Sequence, residues 1–155
     1  MNKKPIPFGI PNAFFLYDDY YSKDFPVYVN GLAYPSARQA VISFKTQSIE
    51  TKRELGNLML PSDLKDFEMS ISTPRYWTKV YILSLYEELT IGKFLQNPEW
   101  KKCLIDSKDF YLDDIPFEGQ GHYDIEELKN EKNYRGETLM RVRNKLIQQM
   151  RYETT

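Results

Sequence analysis

The feature that most restricts the fold is a close succession of turn and helix-start signals between Phe25 and Gln39. Phe25-Pro26-Val27-Tyr28-Val29 and Leu32-Ala33-Tyr34 place apolar β-formers on either side of Asn30-Gly31. Asn and Gly both tolerate positive φ, so the pair closes a tight hairpin. Pro35 ends the second strand and Ser36 begins a helix at once. Its hydroxyl caps the first turn, and Gln39, three residues on, completes a capping box. Ala40, Val41 and Phe44 form an inward stripe that carries the helix to about Lys45 or Thr46. A hairpin followed so closely by a helix predicts an α+β chain.

The remaining signals predict mostly helix. Leu55 and Leu58 are spaced for burial in a second helix over Ile49–Leu58, which Pro61-Ser62 breaks. A short helical stretch over Asp63–Glu68 follows. Thr73-Pro74 pairs a capping hydroxyl with proline at the first helical position. From there Trp77, Tyr81, Ile82, Leu85 and Leu89 recur at helical spacing, predicting the longest helix, to about Thr90. Asn97-Pro98 repeats the signal for a short helix carrying Trp100, Cys103 and Leu104. Phe110–Leu112 reads as a strand, as does Phe14–Tyr17 after an irregular lead-in over residues 1–13. A last helix from about Glu137 buries Leu139, Val142, Leu146 and Met150 and exposes Arg141, Lys145 and Arg151.

Between these lies a long acidic loop, residues 113–135. It carries Asp113, Asp114 and Glu118 around Gly119, Gly121 and the only histidine, His122. One helical turn is predicted near Ile125–Leu128. Long loops of this kind in compact domains are commonly functional. The acidic residues have no calcium-loop spacing, and neither a metal nor a cofactor is expected.

At 155 residues the chain is expected to form one domain over 1–155. A formal net charge of -1 excludes a globally basic, non-specific nucleic-acid binder, so DNA contact is expected only through the local basic patch on the last helix. The apolar runs are too short to span a membrane. Met1-Asn2-Lys3-Lys4-Pro5 is basic but is not followed by the apolar stretch of a signal peptide. The one cysteine, Cys103, cannot form an internal disulfide, which fits a cytoplasmic location. Aromatic residues reach 15%, enough to line a pocket as well as fill a core.

In three places the residues resemble the NADAR family, whose members handle ADP-ribose and related N-ribosides. The first runs from Phe25 through Tyr34-Pro35-Ser36 to Lys45. The second is Trp77 followed by Lys93-Phe94-Leu95-Gln96-Asn97-Pro98 and Cys103-Leu104. The third, Asn133-Tyr134-Arg135-Gly136-Glu137-Thr138-Leu139-Met140-Arg141-Val142-Arg143, is similar to the family's N-x-x-G-x-x-L-M-x-x-R ending. The resemblance implies a compact domain that binds an N-glycosidic ligand in a cleft. Family activities include cleaving a riboflavin-pathway intermediate and removing ADP-ribose from guanine in DNA. It implies Lys45, Trp77, Asn133 and Gly136 as ligand-binding residues.

The departures carry chemical weight. Family members place a glutamate, commonly followed by histidine, early in the first helix; here Arg38 and Gln39 stand there. The family's late aspartate and Trp-Gly pair are replaced by Phe117-Glu118-Gly119-Gln120-Gly121. Cleaving an N-glycosidic bond builds positive charge on the ribose, which a carboxylate stabilises. Two unit charges about 4 Å apart interact by about 4 kcal/mol at an effective dielectric near 20, so reversing the sign amounts to about 8 kcal/mol. That is nearly six orders of magnitude in rate.

An arginine in the first helical turn instead suits a diphosphate, through its planar fork. The leading expectation is a binder that counteracts ADP-ribosylation, by engaging either the modified guanine or an ADP-ribosyltransferase, with hydrolysis weak or absent. Arg38 is then an exposed first-turn ligand residue. The alternatives are an N-glycosidase using a relocated carboxylate from Asp113, Asp114 or Glu118, and a protein-interaction module with no small-molecule site.

Overall fold

The computed structural model describes residues 26–58, 61–108, 111–112 and 125–153. The hairpin forms as its sequence requires. Strands β1 (Val27–Val29) and β2 (Leu32–Tyr34) pair antiparallel, with Val27 opposite Tyr34 and Val29 opposite Leu32. Asn30 and Gly31 take φ values of 50° and 84°, the positive pair that a tight hairpin demands. Tyr28 lies opposite Ala33, and its main-chain N–H donates to Gln96 Oε1 at 2.9 Å.

Helix α1 (Ala37–Ser43) starts behind Ser36 and is buried along its whole length. Helix α2 (Ile49–Gly56) presents Leu55 to the interior and is capped by Ser48, whose side chain accepts from Thr51 N–H. Helix α3 (Pro61–Ser70) is longer than expected, because Pro61 opens it as well as ending what precedes.

Helix α4 (Lys79–Gln96) departs from expectation at both ends. Thr78, not Thr73, caps it, through a bond from Tyr81 N–H to the Thr78 hydroxyl at 3.2 Å. Trp77 therefore precedes the helix, on a turn closed by its own N–H and the Pro74 carbonyl at 3.1 Å. At the other end Thr90 is buried inside the helix and Phe94 continues the apolar face, so the stop comes only at Asn97-Pro98. Helix α5 (Pro98–Asp106) follows.

Tyr111 and Leu112 are not strand, and β1 with β2 form the only sheet among the described residues. A 3-10 turn over Glu126–Leu128 matches the helical turn expected in the acidic loop. Helix α6 (Tyr134–Glu153), rather than α4, is the longest described element and starts before the expected Glu137. Met150 is 42% exposed on it, because the apolar face ends at Leu146. Phe14–Tyr17, the 1–13 lead-in and most of the acidic loop lie outside the described residues.

Two apolar clusters fill the interior. Val27, Tyr34, Val41, Leu55, Ile82 and Tyr86 pack under the hairpin, and Phe94, Trp100, Leu104, Leu112, Leu139 and Val142 pack between α4, α5 and α6. Helix α4 runs through both, which ties the hairpin side to the C-terminal helix. Among the described residues no helix is long and apolar enough to cross a membrane.

Candidate functional site

The first turn of α1 is held by the third residue after the cap. Gln39 N–H donates to Ser36 Oγ at 3.2 Å, and the Ser36 hydroxyl donates to Gln39 Oε1 at 2.9 Å. The Gln39 amide then donates to the carbonyls of Leu55 and Leu58, each at 2.9 Å. A capping-box glutamine ordinarily reaches back to the cap N–H. This one takes the cap hydroxyl and serves the carbonyls of Leu55 near the end of α2 and Leu58 just beyond it, so α1 and α2 are fixed to each other where Arg38 leaves the backbone.

Arg38 is not exposed. It is 2% accessible, and its Nη2 lies 3.6 Å from Glu68 Oε1, which is itself fully buried on α3. The expectation of a solvated first-turn arginine fails because the helix is buried on every side. Lys45, 5% accessible, donates from Nζ to the main-chain carbonyl of Glu68 at 3.1 Å. Lys65 stands 3.9 Å from Glu68 Oε1 and 2.9 Å from Glu126 Oε1. Three basic side chains thus converge on one acidic residue.

Glu68 is held unevenly. Its Oε2 accepts from Glu126 N–H at 2.8 Å, whereas Oε1 is buried with no hydrogen bond among the described residues. Burial pushes the carboxyl above the usual carboxylate range, against the Glu126 N–H bond and the charges of Lys65, Arg38 and Lys45. The Glu126 carboxyl is the reverse case. Hydrogen bonds from Lys129 and Lys65 hold it down to about 2.

Trp77 is 4% accessible and donates from its indole N–H to Glu127 Oε1 at 3.2 Å. Its ring meets Tyr76 and Tyr81 at centroid distances of 6.5 and 6.0 Å. Lys79 Nζ adds a bond of 2.8 Å to Glu131 Oε2. The described end of the acidic loop is therefore fastened over α3 and the start of α4 through Glu126, Glu127 and Glu131. Beside it lies an open groove of about 580 Å³, lined by Lys45, Thr46, Thr51, Ser70, Thr73 and Tyr76 among others. Tyr76 reaches across to donate to the Phe44 carbonyl at 2.7 Å.

Asn133 and Gly136 serve a different contact. Asn133 takes a φ of 53° and donates from Nδ2 to the Leu112 carbonyl at 3.1 Å and the Tyr111 hydroxyl at 3.0 Å. A Cβ on Gly136 would overlap the Leu112 carbonyl oxygen and the Asn133 side chain. The described contacts of this pair anchor the chain ahead of the acidic loop onto α6. Asp113, Asp114 and Glu118 lie outside the described residues.

The basic face of α6 is partly occupied. Arg141 Nε meets Glu87 Oε1 on α4 at 2.7 Å, and Lys145 Nζ bonds Glu87 Oε2. Burial raises the Glu87 carboxyl, but the bonds from Lys145 and Arg141 outweigh it and hold the group below its usual range. Two of the three cations expected to meet DNA phosphates are thus already engaged within the chain.

Arg38 and Lys45 both meet Glu68, and Trp77 is linked to it through the Glu126-Glu127 turn. Sequence reasoning missed Glu68 and Lys65, and it expected the turn without giving it a place at the site. The signal was present: Glu68 follows Leu64 by one helical turn on α3, an acid in register with a buried leucine.

Hairpin, helix and buried charge cluster define a small α+β fold in which α1 and α3 face each other across an ion pair. No family model matches the sequence, and no curated protein matches it either. Among solved structures, the NMR structure of the E. coli protein YbiA superposes with a TM-score of 0.68 at 16% identity. The match covers 97% of this chain and 89% of that one. YbiA is a NADAR-family protein, so the fold implied by the sequence resemblance is the fold the chain has.

Proposed function

We propose that this chain is a divergent NADAR-family protein that binds an ADP-ribose-type N-riboside and counteracts ADP-ribosylation, with hydrolysis weak or absent. It would act on ADP-ribosylated guanine in DNA or by engaging an ADP-ribosyltransferase. The observation that carries this reading is the convergence of Arg38, Lys45 and Lys65 on Glu68, with Lys45 also lining the polar groove. The ammonium of Lys45 lines a hydroxyl-bearing cleft, and Arg38 and Lys65 meet the same Glu68 that Lys45 touches; ammonium and guanidinium groups suit a diphosphate joined to sugars.

Weak hydrolysis follows from the same cluster. A carboxylate that stabilises a ribosyl cation must be ionised and reach the sugar. Glu68 is fully buried, engaged by Arg38 and the Glu126 N–H, and pushed toward its neutral form. Calorimetric titration with ADP-ribose, NAD and a guanine–ADP-ribose adduct tests the reading. Binding of at least one is expected; no binding to any of them, nor to an ADP-ribosyltransferase, overturns it.

One observation favours a second reading, a working N-glycosidase. Burial shifts the Glu68 carboxyl toward the protonated form that a general acid requires, and Glu68 Oε1 has no hydrogen bond among the described residues. Turnover of the adduct, lost in Glu68→Gln, would establish it. Loss instead in an alanine variant of Asp113, Asp114 or Glu118 would move the acid to the loop. No turnover at high enzyme concentration removes the reading.

A further inference from the structure

We infer that Glu68 is an internal stand-in for the ligand's phosphate: it occupies the anion position between Arg38, Lys45 and Lys65, and a diphosphate binds by displacing it from Arg38. This rests on the binding role proposed above and deepens it, by naming the residue that sets affinity.

The geometry of the pair is the first argument. A well-made arginine–carboxylate contact is bidentate at about 2.7–2.9 Å. Here the shortest recorded approach is 3.6 Å, and Lys65 is 3.9 Å from the same oxygen. Oε1 gains charge proximity without a hydrogen bond among the described residues, while Oε2 is held by Glu126 N–H at 2.8 Å. The carboxylate is thus anchored to the loop turn and only loosely to the arginine. A phosphate offers more acceptor oxygens at the spacing of the guanidinium fork, so the exchange replaces a long contact with a short one.

The second argument is access. Arg38 is 2% accessible, so a ligand meets it only where the packing over it, the Glu68 contact included, gives way. Lys45 touches the Glu68 main chain on one side and lines the groove on the other, which connects the buried cluster to solvent.

The groups facing the Glu68 carboxyl are Arg38 from α1, Lys45 from the turn after it, Lys65 from its own helix, and Glu126 from the 3-10 turn. Protonating Glu68 removes its charge attraction for Arg38. The diphosphate of ADP-ribose has no ionisation between mildly acidic and mildly alkaline pH, so a change of affinity across that range belongs to the protein.

The test is titration calorimetry with ADP-ribose, and with inorganic pyrophosphate as a sugar-free probe. Glu68→Gln should bind ADP-ribose about tenfold tighter than the wild type, or about 1.4 kcal/mol. Its affinity should be insensitive to pH, whereas that of the wild type should strengthen toward acid. The wild-type trend should persist in His122→Gln, which removes the only histidine. Adding Arg38→Ala to Glu68→Gln should abolish the gain. The pH profile needs no variant to fold. If the wild type binds but neither acid nor Glu68→Gln tightens it, the inference is overturned and the binding reading stands. If neither protein binds either probe, the inference is overturned, and the binding reading falls with it only if NAD, the adduct and an ADP-ribosyltransferase also fail to bind. If only Glu68→Gln binds, the inference stands and the wild type is not a resting binder.

Discussion

Gly136 sits so close to Leu112 that a methyl group on its Cα would overlap the Leu112 carbonyl oxygen. Alanine is worth about 1 kcal/mol more than glycine in a helix. Overpacking typically costs about 1–3 kcal/mol, and here the obstacle includes a main-chain oxygen, which cannot rotate away as a side chain does. The clash should win. Gly136→Ala is expected to lower stability by about 1–2 kcal/mol, measured by urea unfolding. A stabilised variant would show that the chain at Leu112 gives way.

Arg38→Ala should destabilise the protein by about 3–5 kcal/mol, the usual consequence of leaving a buried charge without its partner. The deficit should narrow in acid, where a protonated Glu68 needs no counter-ion. Arg38→Ala combined with Glu68→Ala should lose less than the sum of the two single changes. Thermal melts across pH, with the full double-mutant cycle, read this out. Additive losses would mean that the pair is not coupled.

Gln39→Ala removes the donor that serves two carbonyls and should destabilise the fold by about 2–4 kcal/mol, given about 1–3 kcal/mol for each unsatisfied buried group. Gln39→Glu should be at least as harmful near neutral pH, because an ionised carboxylate can only accept. Chemical denaturation of both variants checks the order. A harmless Gln39→Ala would mean that water serves Leu55 and Leu58 equally well.

Glu126 should titrate at about 2, well below an ordinary glutamate, and Lys129→Met or Lys65→Met should move it back up. A carboxylate with a depressed folded-state value contributes stability above its unfolded value. That contribution is lost as pH falls from the ordinary carboxylate range toward about 2. Carboxyl carbon shifts followed by NMR report it directly. An ordinary titration point for Glu126 would mean that neither lysine holds it in solution.

What the sequence disclosed and what it hid differ in physical kind. The hairpin, the Ser36 start and the Asn97-Pro98 start were legible because Asn30-Gly31, a capping hydroxyl and a proline act on their own neighbours. Trp77 was misplaced because two threonines, Thr73 and Thr78, offer the same local signal, and burial of the indole decides between them. The charge at position 38 was legible, but its surroundings were not. Glu68 is thirty residues away, and only packing of α3 on α1 makes it the partner. The charge of Arg38 is thus met by a carboxylate that no local pattern connects to it.

The bond between Tyr28 and Gln96 closes part of the hairpin's outer edge. In this register the N–H and carbonyl of Tyr28 point away from β2, along the outer edge of a two-stranded ribbon. Gln96 Oε1 accepts from that N–H, its Nε2 donates to that carbonyl at 3.4 Å, and Asn97 Nδ2 meets the Pro26 carbonyl at 3.3 Å. A side-chain amide thus pairs with Tyr28 much as the peptide group of a third strand would. An unpaired strand edge is a template for another chain to dock on and propagate, and here the middle of that template is already taken.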